Sequence, residues 1–427
     1  MKLTIKNGVT IHCIKSNKFK DVAICINFLG ELNEESATVR SLLALMLSDR
    51  SAKYDTKQKV SILCDQLYGA TFSCRTLGCG GGHIIEVRSK IINPMYIEAN
   101  ANLFHDQLGF INEMIFNPLM KDGHFSQEVF DEAKHILESK IRRRMDDAQT
   151  YSILRALQLA GGNQPLGIAT VGSLTKLKSV TIEDVENYYH KMIHEDLIEV
   201  VACGEFDELH MVKAIEESFA FKPRSKEVKT YYVLDTQPRL EQVTEHKDIP
   251  QSNIAMVYQT KISVLDPLYP ALKVANGIFG QYTTSFLFQE VREKHSLCYS
   301  IFSNLITFDG AMLVSTGVED ENIDQAISLI REQFIKCKNG EFDEELINVT
   351  KKMLINALNS SLDEMSSMIS YAYNNSILQR ELSIEENIAC IAAVSKEDIM
   401  KVFASWIEVL TFVLRKKENN NESSNIE

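Results

Sequence analysis

Val180-Thr181-Ile182-Glu183-Asp184-Val185 returns 214 residues later as Val394-Ser395-Lys396-Glu397-Asp398-Ile399. Each copy sets a hydroxyl residue three positions before an aspartate, the pattern in which a helix N-cap and its first free amides satisfy one another. The apolar positions behind the cap keep the same offset: Val185, Tyr188, Tyr189 and Met192 stand against Ile399, Val402, Phe403 and Trp406. Both helices then run into strand-like stretches, Ile198 to Cys203 and Leu410 to Leu414. A second pair lies upstream. Phe125 to Glu128 opens a helix with Val129, Phe130, Ala133, Ile136 and Leu137 on one face, Phe342 to Glu345 opens another, and Lys134 falls against Lys351, 217 residues on. Two helices at nearly one offset read as an internal repeat. The expected fold is α+β, with two homologous halves, each an antiparallel sheet packed with helices. The halves are expected at 1–217 and 241–415. Between them lies a connector, 218–240, where Lys222-Pro223-Arg224-Ser225-Lys226 and Gln237-Pro238 read as exposed. Residues 416–427, with Asn419-Asn420-Asn421 and Ser423-Ser424, read as a disordered tail.

A chain of 427 residues with 45% apolar side chains has material for more than one core. Its net charge of -13 argues against a non-specific grip on nucleic acid or anionic lipid. No apolar stretch reaches the length of a membrane span, and Met1 to Gly8 holds no continuous apolar signal segment. The nine cysteines are odd in number and contain no Cys-x-x-Cys pair. Cys13, Cys25 and Cys203 lie in apolar strand-like runs, where a thiol acts as a small hydrophobe. A reduced, cytoplasmic setting is the simplest expectation.

Working outward from the repeat, Asn7-Gly8 between Leu3–Ile5 and Val9–Ile14 signals a tight hairpin. A strand at Val22 to Phe28 and a helix with an almost unbroken apolar face, Thr38 to Ser48, follow. Gly78-Cys79-Gly80-Gly81-Gly82 lacks the Lys-Ser/Thr of a phosphate loop and lies between strand-like runs, so it reads as a hairpin turn. Arg142-Arg143-Arg144 reads as a solvated helix end. Neither His-Glu-x-x-His nor His-x-x-Glu-His occurs. His190 and His194 share a helix face at a spacing that could ligate a metal, but the matching helix of the second half has no histidine; an exposed surface pair is the simpler reading.

Ser285-Phe286-Leu287-Phe288-Gln289-Glu290-Val291-Arg292-Glu293-Lys294 begins as an amphipathic helix and passes through His295-Ser296-Leu297 into the strand-like Cys298-Tyr299-Ser300-Ile301. A guanidinium and a phenol at such a junction could hold a peptide backbone; the structural alternative is an Arg292 bridged to Glu290 beside a half-buried Tyr299.

Leu287 to Lys294 followed by Tyr299-Ser300 resembles a motif of the insulinase-type (pitrilysin-like, M16) zinc peptidases. Lys53-Tyr54, Leu67-Tyr68-Gly69-Ala70-Thr71 and Cys203-Gly204-Glu205-Phe206-Asp207 are similar to further landmarks, so the resemblance spans nearly the whole chain. It implies a clam-like half-chamber in which Arg292 and Tyr299 of the C-terminal half bind substrate near a zinc ion of the N-terminal half. It also exposes a departure. Ser41, Ala44 and Leu45 stand where His, Glu and His of the zinc motif would be, and Ser139 falls at the third-ligand position. No metal or other cofactor is therefore expected, nor peptidase activity by the chain alone. Leu45 is expected in a buried stripe with Leu42 and Met46. The implied partners are a peptide substrate and a zinc-bearing paralogue with an intact His-x-x-Glu-His; the alternative is a catalytically dead scaffold.

Overall fold

The computed structural model describes residues 1–97, 102–237 and 242–417. Pro238 of the expected connector and residues 418–427 of the expected tail lie outside the described residues.

The first compact unit is built on a six-stranded sheet of β1 (Lys2–Lys6), β2 (Val9–Lys15), β3 (Asp21–Glu31), β4 (Thr71–Cys79), β5 (Gly82–Ile92) and β8 (Leu197–Gly204), in the order β1-β2-β8-β3-β5-β4. A two-residue ladder, β6 (Met120–Lys121) with β7 (His124–Phe125), stands apart. The β1–β2 turn is at Asn7-Gly8 and the β4–β5 turn at Gly80-Gly81, so both glycine signals are hairpins. One face of the sheet, through Ile11, Ile24, Ile26, Phe28, Ile85 and Val200, forms the core with the flanking helices.

The second unit is a five-stranded sheet of β9 (Gln242–Lys247), β10 (Ser252–Gln259), β11 (Cys298–Ile306), β12 (Ala311–Val318) and β13 (Ile407–Lys416), in the order β11-β12-β10-β13-β9. Both sheets follow one pairing scheme. β2 runs parallel to β8, and β8, β3, β5 and β4 are successively antiparallel. β9 runs parallel to β13, and β13, β10, β12 and β11 are successively antiparallel.

The helices Ile182–His194 and Lys396–Ser405 precede β8 and β13. Thr181 and Ser395 cap them as their spacing predicts, accepting from the amides of Asp184 and Asp398. Thr181 N in turn donates to Asp184 at 2.9 Å, and the Ser395 hydroxyl donates to Asp398 at 2.7 Å. The two offset lysines make one contact twice: Lys134 Nζ donates to Val180 O at 3.1 Å and Lys351 Nζ to Val394 O at 2.5 Å. Each fastens a long helix to the residue just before the N-cap.

Two segments leave the sequence halves. Residues 143–167 belong to the second unit and residues 357–384 to the first. The helix Ala148–Gly161 lays Ala156 and Ala160 against Ala255, Val257, Leu410 and Phe412 of the second sheet. The helix Met365–Ile377 covers the polar face of the first sheet, where the register aligns Glu199, Asn27, Glu86 and Arg75 across four strands. There His12 Nε2 lies 2.5 Å from Glu199 and 3.1 Å from Ser376 Oγ. Nothing in the local pattern of these helices names the sheet they cover.

The connector departs from expectation. Lys222, Pro223 and Ser225 are exposed, but Phe219, Phe221, Arg224, Thr230 and Leu234 are buried. Hairpin tips hold it by backbone hydrogen bonds, with Gly81 N donating to Lys229 O at 3.1 Å in the first unit. In the second unit Tyr232 N donates to Phe308 O at 2.9 Å and Leu234 N to Asp309 O at 2.8 Å. The approach is so close that a Cβ on Gly80, at φ +52°, would lie 2.5 Å from Thr230 O. Charge and proline at 222–226 signalled solvent; the glycine tips that bury the rest lie far away in sequence.

Candidate functional site

The helix that bears Ser41, Ala44 and Leu45 runs Glu34–Met46, capped by Asn33, whose side chain accepts from Ser36 N at 2.8 Å. Its buried surface is less apolar than the sequence suggests, because Thr38, Arg40 and Ser41 are buried with Leu42, Leu43 and Ala44. Ser41 Oγ lies 3.1 Å from Thr76 Oγ1 and donates to Thr170 O at 3.1 Å. Ala44 is buried and offers no donor atom. Leu45 is half-buried, packed on the edge of the core, which corrects the expectation of a fully buried stripe; Leu42 and Met46 are buried as expected. One helical turn separates 42 from 46, whereas 45 is rotated towards the rim. Ser139 is exposed on the helix Gln127–Asp146, and its neighbour Glu138 is held by Arg142 at 2.6 Å.

These residues do not fit zinc. A structural or catalytic site needs three or four imidazole, thiolate or carboxylate ligands. The helix supplies a hydroxyl that is already committed, a methyl and an isobutyl group. Among the described residues no cluster of three or more His, Cys, Asp or Glu side chains could hold a metal ion. His190 and His194 are exposed, with parallel rings 6.5 Å apart. Arg142, Arg143 and Arg144 are exposed as expected.

Sequence reasoning missed what the same helix does bury. Arg40 Nη1 donates to Asp196 Oδ2 at 2.6 Å, and Nη2 donates to His83 O at 2.8 Å and Phe28 O at 3.1 Å. Gly30 admits this pair, since a Cβ there would lie 2.7 Å from both Arg40 Nη1 and Asp196 Oδ1. Beside them the fully buried His83 has its pKa pushed down to about 3, by burial first and by the Arg40 charge second, so the ring is neutral. The available signal was a lone arginine in an apolar helix pattern.

In the second unit, Phe288–Lys294 forms a wide π-helical turn, anchored by the buried Leu287 and Val291. Such turns are rare and cluster at functional sites. Leu297 N closes back on Val291 O at 3.1 Å, and Ser296 adopts φ +54°. The chain then enters β11, an edge strand, through a bulge in which Tyr299 and Ser300 face Gly317 between the pairs Cys298–Val318 and Ile301–Thr316. Bulges re-aim side chains, and Tyr299 is 86% exposed. The turn and the bulge bring the two expected residues together. Arg292 Cζ lies 5.7 Å from the Tyr299 ring centroid and 4.4 Å from that of Phe288. The alternative pairing does not form, because Glu290 is taken by Lys294 at 2.5 Å and His295 at 3.6 Å, and the carboxylate near Arg292 is Glu293, 3.7 Å from Nε.

The family description "Peptidase M16 inactive domain" matches residues 179–354. The chain is 31% identical over 394 residues to the probable inactive metalloprotease YmfF of Bacillus subtilis (strain 168), covering 92% of each chain. The chain belongs to the M16 peptidase family. A conserved protein from Enterococcus faecalis V583 has the same M16-like fold, with a TM-score of 0.92, 30% identity and 99% of each chain covered. The mitochondrial-processing peptidase subunit beta of Saccharomyces cerevisiae is 23% identical over 283 residues, 62% of this chain and 61% of that one. With an inactive M16 domain and an inactive metalloprotease as its relatives, this is a non-catalytic M16 member. No helix among the described residues is long and apolar enough to cross a membrane.

Proposed function

We propose that this M16 chain is the substrate-binding, non-catalytic subunit of a two-chain metallopeptidase that processes peptides, and that a zinc-bearing paralogue supplies the metal and the base. The observation that carries the reading is the placement of Arg292 against Tyr299, built by a π turn, a left-handed serine and a bulge while the metal positions have been filled by Ser41, Ala44 and Leu45. Backbone irregularity of this kind costs free energy and persists where surrounding structure maintains it. A relative whose name includes "subunit" favours an assembly, and the shared pairing scheme of the two sheets supports their origin as repeats. Nine cysteines, six of them buried, suit a reducing cytoplasmic compartment.

The test is reconstitution with a zinc-bearing M16 chain from the same source. The purified protein alone holds no stoichiometric zinc and cleaves no peptide; the pair co-elutes on sizing and cleaves. Arg292→Ala leaves co-elution intact and lowers cleavage, reflecting the loss of a charged hydrogen bond at about 2–5 kcal/mol. Full activity of that complex would overturn the reading in favour of the scaffold.

A further inference from the structure

The Arg292 guanidinium lies against two aromatic rings, with Cζ 4.4 Å from the Phe288 ring centroid and 5.7 Å from that of Tyr299. Nε has Glu293 at 3.7 Å; among the described residues neither Nη atom has a hydrogen-bond or ion-pair partner. The side chain is 35% exposed and so reachable from solvent. The neighbouring carboxylate Glu290 is neutralised by Lys294 and His295 and feels the charge of Lys336. A single peptide carbonyl would use one of the two free Nη groups. A carboxylate fits both, because its two oxygens match the parallel N–H pair of a guanidinium in plane. Aromatic faces also hold the fork rigid, so little rotamer freedom remains to be lost on binding.

We infer that Arg292, set against Phe288 and Tyr299 with both Nη groups unpaired, is a carboxylate anchor, and that the peptides this protein takes are those presenting a carboxylate at this point, either the C-terminal α-carboxylate or an Asp or Glu side chain. The inference rests on the peptide-binding reading above and adds the chemical class of the ligand. Tyr299, thrown outward by the bulge at the start of edge strand β11, then marks where the peptide leaves the anchor.

The full chain is titrated with three fluorescein-labelled heptapeptides of alternating Val and Thr: the free C-terminal acid, its C-terminal amide, and an amide carrying one Glu. The acid binds about tenfold or more tighter than the neutral amide if the α-carboxylate is the ligand, and the Glu-bearing amide does so if a side chain is. Arg292→Ala abolishes the preference with at most a small drop in melting temperature, and Arg292→Lys, which keeps the charge without the fork, retains only a small part of it. Equal binding of all three peptides that is nevertheless weakened by Arg292→Ala overturns the carboxylate anchor and leaves the peptide-binding reading in place. Binding unaffected by Arg292→Ala, or none to any peptide at millimolar concentration, overturns both.

Discussion

The helix face at Ser41–Leu45 and the junction at Phe288–Tyr299 have met opposite fates. At the first, the hydroxyl that replaces a ligand is hydrogen-bonded, a methyl fills the next position, and the adjacent charge, Arg40, is spent on Asp196 and two carbonyls. At the second, a guanidinium is stacked yet keeps both Nη groups unpaired, and a tyrosine is turned out to solvent. Buried polar groups must be satisfied internally or they cost free energy, so a site without a ligand closes on itself. A side chain kept rigid and unsatisfied is what binding requires. The difference separates a face whose polar groups are satisfied within the fold from a junction whose guanidinium keeps both Nη groups unpaired.

The contrast can be broken most severely at Asp196. Replacing it with Ala strands Arg40 as a buried unpaired charge at a cost of about 3–5 kcal/mol, read by urea unfolding. A loss below about 1 kcal/mol would mean that water reaches the pair and that the helix face is still an open site. Titration offers the next largest effect, with opposite signs in the two units. The folded pKa of His83, about 3, lies below its ordinary 6.5, so the native state binds fewer protons than the unfolded chain in between. Its contribution is complete above the unfolded value and is lost as pH falls towards 3. Asp309 is pushed by burial from 3.8 to about 6, so the native state binds more protons there, and stability is lost as pH rises through about 6. Each amounts to roughly 3–5 kcal/mol across its window. His83→Gln should flatten the acid loss, and Asp309→Asn should remove the decline between pH 4 and 6; an unchanged pH profile in either variant would refute the assigned group. Leu45→His comes third. A half-buried position can turn an imidazole to water, so a destabilisation of about 1 kcal/mol or less is expected and no zinc is gained, both read by melting and metal analysis. The smallest effect is Arg292→Ala on folding, about 0.5–1 kcal/mol from lost stacking. A drop beyond about 2 kcal/mol would make that arginine a structural residue like Arg40 and erase the distinction.

Much of this was legible along the chain because it is local. Capping at Thr181 and Ser395, the hairpins at Asn7-Gly8 and Gly80-Gly81, and the apolar stripes behind each cap depend on residues a few positions apart, whose periodicity states the geometry directly. The matched lysines show how far that reach extends. An offset of 217 marked Lys134 and Lys351 as equivalent, but only the packed units show both reaching the carbonyl before a cap.

The amino-acid sequence alone was enough for the α+β class and the family, and it singled out Arg292 and Tyr299. These follow from which atoms are present and from short-range spacing. Tertiary structure decided which sheet the helices Ala148–Gly161 and Met365–Ile377 cover, that the connector buries Phe219, Phe221, Arg224, Thr230 and Leu234, that Leu45 sits at a rim, and that Arg40 finds Asp196 across 156 residues. It also decided that Arg292 lies against Phe288 and Tyr299. Pattern fixes which face of an element is apolar, but not which of several apolar or polar surfaces it meets. That choice is made by the summed packing and hydrogen bonding of segments remote in the chain.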